Sequence, residues 1–213
     1  MIISVHLADV GVPQAILALR RPPQPEPDRG LRWATAAVPL AIGHVPPRPN
    51  LGQVGLIAAW SGDEALDRFL TDDPWRRHLS TCYEVRLAPM RTVGSWPALP
   101  ELNRGHDSGS PDEPVGVLTL GRLRASQAFR FLRATAIAER SLLTEPALML
   151  SVGLARPPFL ATFSLWNTNA GMQEYTRRGG HAHASSQHRA KPFHHEAAFA
   201  RLRPYRTRGT PMS

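Results

Sequence analysis

Five histidines fall within fifteen residues late in the chain: His181, His183, His188, His194 and His195, with Glu196 as the only acid nearby. Imidazole is a ready donor to transition metals and to haem iron. On a helix running from His181, the residues Arg177, His181, Ala184 and His188 share a face at spacings of four, three and four, while His183 points elsewhere. A small non-haem ion needs ligands at helical spacing together with a carboxylate or thiolate. His181 and His188 lie two turns apart, too far to share such an ion. Upstream, Thr162, Ser164 and Trp166 alternate with Ala161, Phe163 and Leu165. That period of two places two hydroxyls and an indole on one strand face. Such a face suits a pocket wall; it suits equally a strand with one solvated side. Arg177 and Arg124 could grip a ligand's carboxylates, because guanidinium binds carboxylate bidentately, although a solvated charge is the commoner fate.

These residues need strands and helices to hold them. Alternation over Leu148, Leu150, Val152 and Leu154 predicts a strand ended by Pro157-Pro158, with a second strand over Leu160 to Trp166. A short helix from Thr168 to Arg178 follows, with Asn167 or Thr168 as its N-cap, and a last strand spans Ala197 to Pro204. Before them come a strand from Val115 to Leu123 and a helix over Ser126 to Leu143, with Phe129, Leu132, Ala136 and Leu143 as its apolar stripe. The first half reads similarly: strands at Ile2 to Asp9, Leu31 to Leu40, Leu51 to Trp60 and Cys82 to Leu87, with helices at Pro13 to Arg20 and Gly62 to Thr71.

Both halves thus run strand, helix, strand, strand, helix, strand. Val54 to Trp60 aligns with Leu160 to Trp166 at a constant offset of 106, which also pairs Phe69 with Tyr175. The order βαββαβ is the ferredoxin-like unit. The predicted fold is therefore α+β: tandem ferredoxin-like repeats whose sheets pack face to face around a pocket, a dimeric α/β barrel within one chain. Residues 1–96 form the first half, 97–114 a Pro- and Gly-rich linker, 115–204 the second half and 205–213 a tail. The offset sets Leu56, Ala58 and Trp75 against Thr162, Ser164 and His181, so any chemistry is expected in the second half.

Composition narrows the classes. The 213 residues carry a formal charge of +8, but the basic residues are arginines apart from Lys191 and lie scattered, without the clustered charge and interleaved aromatics of nucleic-acid binding. A basic surface does favour anionic lipid headgroups, so peripheral membrane contact is compatible, as is a homo-oligomer. No apolar window is long enough to span a bilayer, and no charged leader precedes the first strand, so the chain reads as cytoplasmic. The single cysteine, Cys82, cannot form an internal disulfide and reads as a small buried hydrophobe. No nucleotide-binding glycine loop and no flavin or nicotinamide fingerprint is present.

Several segments carry a resemblance: Pro49-Asn50-Leu51-Gly52 leading to Trp60, Gly94-Ser95-Trp96, Val117-Leu118-Thr119, Ser151-Val152-Gly153, Ala161 to Trp166, and Glu196 with Phe199-Ala200-Arg201. Together, over roughly Pro49 to Pro204, they resemble the spheroidene monooxygenase family, with Leu120 standing where that family tends to carry an arginine. The resemblance implies a barrel-like α/β fold and a haem-dependent monooxygenase that inserts oxygen into an acyclic carotenoid. It makes His181 the axial iron ligand, with His183 the alternative should the register differ by two. On the same reading Arg177 and Arg124 pair with the haem propionates while Thr162, Ser164 and Trp166 line the pocket, a hydroxyl among them bonding the oxygen. An apolar small-molecule substrate and an external electron donor such as ferredoxin follow from that chemistry. Two other classes stay open: a cofactor-independent oxygenase of the antibiotic-biosynthesis type, and a non-catalytic haem or lipid carrier.

Overall fold

The first strand is buried on both faces, which places it in the middle of a layered molecule. β1 (Ile2–Asp9) turns Ile3, Val5 and Leu7 into one core and Ile2 and Ala8 into another. The computed structural model describes residues 1–41, 44, 47–104, 107, 109–178, 186–187 and 190–211. After β1 come α1 (Val12–Arg20), β2 (Leu31–Ala41), the two-residue β3 (Arg48–Pro49), β4 (Gln53–Trp60), α2 (Asp63–Asp72) and β5 (Tyr83–Ser95). The second half follows as β6 (Val115–Leu123), α3 (Ala128–Leu142), β7 (Leu148–Arg156), β8 (Phe159–Trp166), α4 (Asn169–Arg177) and β9 (His194–Arg208).

All strand pairings are antiparallel, in the order β3-β2-β4-β1-β5-β9-β6-β8-β7. A further pairing of Val38, Pro39 and Leu40 in β2 with Ala155, Leu154 and Gly153 in β7 closes the ring. Leaving aside the β3 flap, the result is a closed eight-stranded barrel with helices outside it. Pairing of β5 with β9 forms the other seam between the halves and runs from Glu84 opposite Arg208 to Ser95 opposite Ala197.

The barrel interior is filled, which corrects the expectation of a pocket between the two sheets. Ile3, Val5, Leu87, Leu118, Phe163 and Leu202 meet in one continuous core, joined by Trp96, Leu99 and Leu102 from the segment after β5. The physical reason is size: an eight-stranded barrel is just wide enough for its own side chains. Trp33, Trp96 and Phe159 meet near edge-on within it, at centroid separations of 5.9 to 6.3 Å.

Outside the barrel the two halves differ. In the first, α1 and α2 close tightly on the sheet, with Leu56, Ala58 and Trp60 packed among Leu66, Phe69 and Trp75. A buried polar string runs through this layer: the Trp60 indole N–H donates to Ser4 Oγ at 2.8 Å, Ser4 lies 2.9 Å from His6 Nε2, and Cys82 Sγ lies 3.7 Å from His6 Nδ1. Burial pushes the Cys82 thiol up to about 11, so it sits there as a neutral group. Arg86, beside it on β5, is buried and held by Glu84, Asp63 and Asp67 at 2.6, 2.8 and 2.5 Å.

Some element details depart from the sequence reading. β5 continues past Leu87 to Ser95 and β9 extends from His194 to Arg208, so both seams are longer than their apolar residues suggest. The stripe assigned to α3 is also corrected. Ala134, Ala136, Ala138 and Leu142 are its buried residues, while Phe129 and Leu143 are 69% and 58% exposed. The helix faces the sheet mainly with alanines, and a reading that follows the largest apolar side chains rotates it the wrong way.

A cavity between the second-half sheet and its helices

The outer face of the second sheet is composed differently from the first. Successive residues of a strand point to opposite sides, so Leu118, Leu120, Ala161 and Phe163 enter the barrel core while Val117, Thr119, Thr162 and Ser164 face outward. Register sets these outward residues in rows. One row runs Ser151, Ser164, Val117, Arg201 and Arg91; the next runs Gly153, Thr162, Thr119, Phe199 and Val93. The helices α3 and α4 stand over this face without filling it. They leave a cavity of about 940 Å³, to which they contribute Leu132, Thr135, Leu142, Met172 and Tyr175. That is the upper end of the usual range for small-molecule sites, about 300–1,000 Å³. Leu40, Ala41 and His44 bring the first half into the same wall across the β2–β7 seam.

One end of the cavity is braced by hydrogen bonds. Thr168 caps α4, its hydroxyl accepting the Gly171 N–H at 3.1 Å, as one of the two predicted caps. The Trp166 indole N–H donates to Ser164 Oγ at 2.9 Å, and Trp166 packs on Tyr175 at 5.3 Å between ring centroids. Tyr175 Oη in turn donates to the Ala138 carbonyl of α3 at 2.9 Å, tying the two helices together. Burial pushes the Tyr175 phenol up to about 12, so it remains a donor throughout the physiological range. Thr162 and Thr119, paired across β8 and β6, are half-buried, and their hydroxyls have no partner among the described residues. The charged residues of the described wall are three arginines, Arg91, Arg177 and Arg201, and one acid, Glu139. Arg201 is held below the usual guanidinium range by burial and by the charge of Arg91.

Of the residues singled out in the sequence, Thr162, Ser164, Trp166 and Arg177 are brought together in this wall. Arg177 donates to Gln173 Oε1 at 3.2 Å within α4. Arg124 is not in the wall; it stands before α3 and donates its Nε to the His194 carbonyl at 3.1 Å, fixing the start of β9. His181, His183 and His188 lie outside the described residues. His194 does line the cavity, buried edge-on against Phe131 at 5.1 Å. Its ring rests on Gly121, where a β-carbon would come within 2.6 Å of it, so only glycine leaves that space. Among the described residues, no three His, Cys, Asp or Glu side chains converge on a metal-sized site.

Sequence reasoning missed Arg91, and it named Thr119, Arg201 and His194 without placing them in a shared pocket wall. Thr119 and Arg201 sit inside quoted motifs, yet only strand register reveals that they share a face with Thr162 and Ser164. Arg91 follows Pro89, which reads as the end of a strand. The actual strand passes through a register irregularity between Pro89 and Arg91 and carries on.

No protein-family model matches the chain. A spheroidene monooxygenase of Rubrivivax gelatinosus is 34% identical over 168 residues, covering 76% of this chain and 64% of the relative. The protein of the same name from Cereibacter sphaeroides is 25% identical over 164 residues, covering 73% of this chain and 50% of the relative. The chain thus spans between half and about two thirds of the length of these relatives. Among solved structures, an aldoxime dehydratase crystallised with butyraldoxime superposes with a TM-score of 0.50 at 9% identity, over 96% of this chain and 79% of that one. At that identity the likeness is one of fold.

Proposed function

We propose, from its similarity in sequence to spheroidene monooxygenases, that the chain belongs to that family and is an oxygen-dependent monooxygenase. In this reading it uses haem to insert oxygen from O2 into a carotenoid or another long apolar substrate. The observation that carries the reading is the cavity of about 940 Å³ on the outer face of the second sheet, walled mainly by apolar side chains with a few hydroxyls among them. The four-strand sheet of each half has the order β5-β1-β4-β2 or β9-β6-β8-β7. We read this as a tandem ferredoxin-like duplication, with residues 1–96 and 115–204 as its two copies joined by 97–114; of the residues 205–213 expected as a tail, 205–208 continue β9.

The residues present fit a haem. The space is ample, its wall is apolar, its charged side chains are mostly cationic, and it holds an imidazole, His194, in its described part. His181 is assigned as the axial ligand on the strength of the family resemblance, with His183 as the alternative. Arg177 and Arg124 are assigned to the cofactor's carboxylates; the Nε of Arg124 is already given to the His194 carbonyl, which leaves its terminal nitrogens for that task. Haem, when bound, supplies an oxidising power towards C–H bonds that no side chain possesses. The chain does the rest. Thr162 and Thr119 offer hydroxyl protons that no described residue accepts, suited to orienting dioxygen. Ser164 fixes the Trp166 indole, which packs on Tyr175 and keeps one end of the wall rigid, and Val117 and Leu132 add apolar surface to the cavity. Electrons are assigned to a separate redox protein such as a ferredoxin.

A long apolar substrate resides in lipid, and α3 presents an outward line suited to reach it. Phe129, Arg133, Ile137, Arg140 and Leu143 are all exposed, at helical spacing and without an acid among them. Peripheral contact with an anionic membrane surface is therefore part of the proposal; among the described residues no helix is long and apolar enough to cross a membrane.

The test is spectroscopic. The purified chain supplied with haem should show a Soret band that shifts or disappears in His181→Ala, and with a reductant system it should convert an acyclic carotenoid to a ketone. A protein that stays colourless with haem in excess sinks the proposal.

A further inference from the structure

Several arginines on the strands of this molecule are answered by acids. Arg86 has three carboxylates, Arg122 has Glu196 at 3.1 Å, and Arg203 has Asp107 at 2.5 Å and Glu113 at 3.5 Å. Arg91, which is exposed, and Arg201, which is half-buried, are not among them. They are direct partners across β5 and β9, both in the cavity wall, and neither has a carboxylate among the described residues. Like charges opposite each other on neighbouring strands repel and destabilise the pair. Burial aggravates this for Arg201, whose proton is held less firmly for that reason and because of Arg91. The other charged groups of the wall leave the repulsion in place. Arg177 adds a third positive charge, bonded to the neutral Gln173, and the one acid of the described wall, Glu139, belongs to α3 and not to the sheet.

Two adjacent guanidinium groups at the wall of an apolar hollow call for an occupant with an apolar body and anionic oxygens. A carotenoid hydrocarbon has no such oxygens, whereas haem has two carboxylates on one edge of an apolar ring. Resting on the haem reading above, we propose that Arg91 and Arg201 form the carboxylate clamp of the cavity, binding the cofactor's propionates through charge-assisted, bidentate hydrogen bonds. This moves the main anchoring role from Arg177 and Arg124 on the helical side to the β5–β9 seam. The same contact would relieve the repulsion between the two strands.

The experiment compares iron protoporphyrin with its dimethyl ester, which keeps the ring and lacks both charges. Each is titrated into the full chain and into Arg91→Gln/Arg201→Gln, with Soret absorbance and tryptophan quenching as readouts. The wild-type chain is expected to bind the free acid at least tenfold more tightly than the ester. The double variant should lose that preference to within about twofold while binding the ester as the wild type does, which also controls for its folding. A wild-type chain that binds both porphyrins equally, or a double variant that keeps the preference, overturns the clamp alone. A wild-type chain that binds neither overturns the haem reading and the clamp with it.

Discussion

At the scale of single residues, Ser164 and Thr162 look alike in sequence and differ in what their hydroxyls do. Ser164 accepts the indole proton of Trp166, which is 2% exposed, while Thr162 bonds to no described residue. Removing the serine oxygen strands a buried donor, which costs about 1–3 kcal/mol. Ser164→Ala should therefore lower the free energy of unfolding by that much. Thr162→Val should leave stability nearly unchanged and instead reduce turnover on the order of a hundredfold, as loss of one aimed hydrogen-bond donor does. Urea unfolding and steady-state oxidation of the same two variants check the contrast; equal effects on both readouts would mean the hydroxyls share one role.

At the scale of elements, the telling contact is where β7 of the second half crosses β4 of the first. Leu154 is fully buried, and its Cδ2 lies 2.3 Å from where Gly55 would carry a β-carbon. Leu154→Ala should cost about 2–5 kcal/mol through lost burial and an unfilled cavity. Gly55→Ala should itself destabilise by overpacking, yet restore part of the loss when combined with Leu154→Ala, a sign reversal that denaturant melts of the double-mutant cycle would reveal. Strict additivity would refute the contact. Such seams were hard to read in the sequence. The repeated order of strands and helices was legible because period-2 runs such as Ala161 to Trp166 and the Thr168 cap are local signals. Register across Pro89, the alanine face of α3, and the meeting of Arg91 with Arg201 depend on partners a hundred residues away, and no local pattern encodes them. The offset that set Thr162 and Ser164 against Leu56 and Ala58 did pick out strand positions that now face the cavity. It missed that the cavity lies outside the barrel, because alternation distinguishes two faces of a strand without saying which is inside.

At the scale of the whole molecule, the filled outer layer of the first half carries a titration that reports on global stability. His6 is buried and its pKa is lowered to about 4, mainly by burial and further by Arg86, with Glu84 opposing. An unfolded histidine takes up a proton near pH 6.5, so between about 6.5 and 4 the unfolded chain binds a proton that the folded chain refuses. Stability must then fall as pH drops through that window, by about 2 kcal/mol at pH 5 relative to pH 7. His6→Gln should flatten that slope in unfolding curves recorded at the two pH values; an unaltered slope would assign it to other groups. The contrast between this filled layer and the hollow one opposite has a further consequence. Two identical chains closing the same ring would be obliged to carry two hollows or none. Continuity of the polypeptide from one half to the other lifts that constraint, leaving one side free to accumulate ballast while its counterpart gives up packing for chemistry.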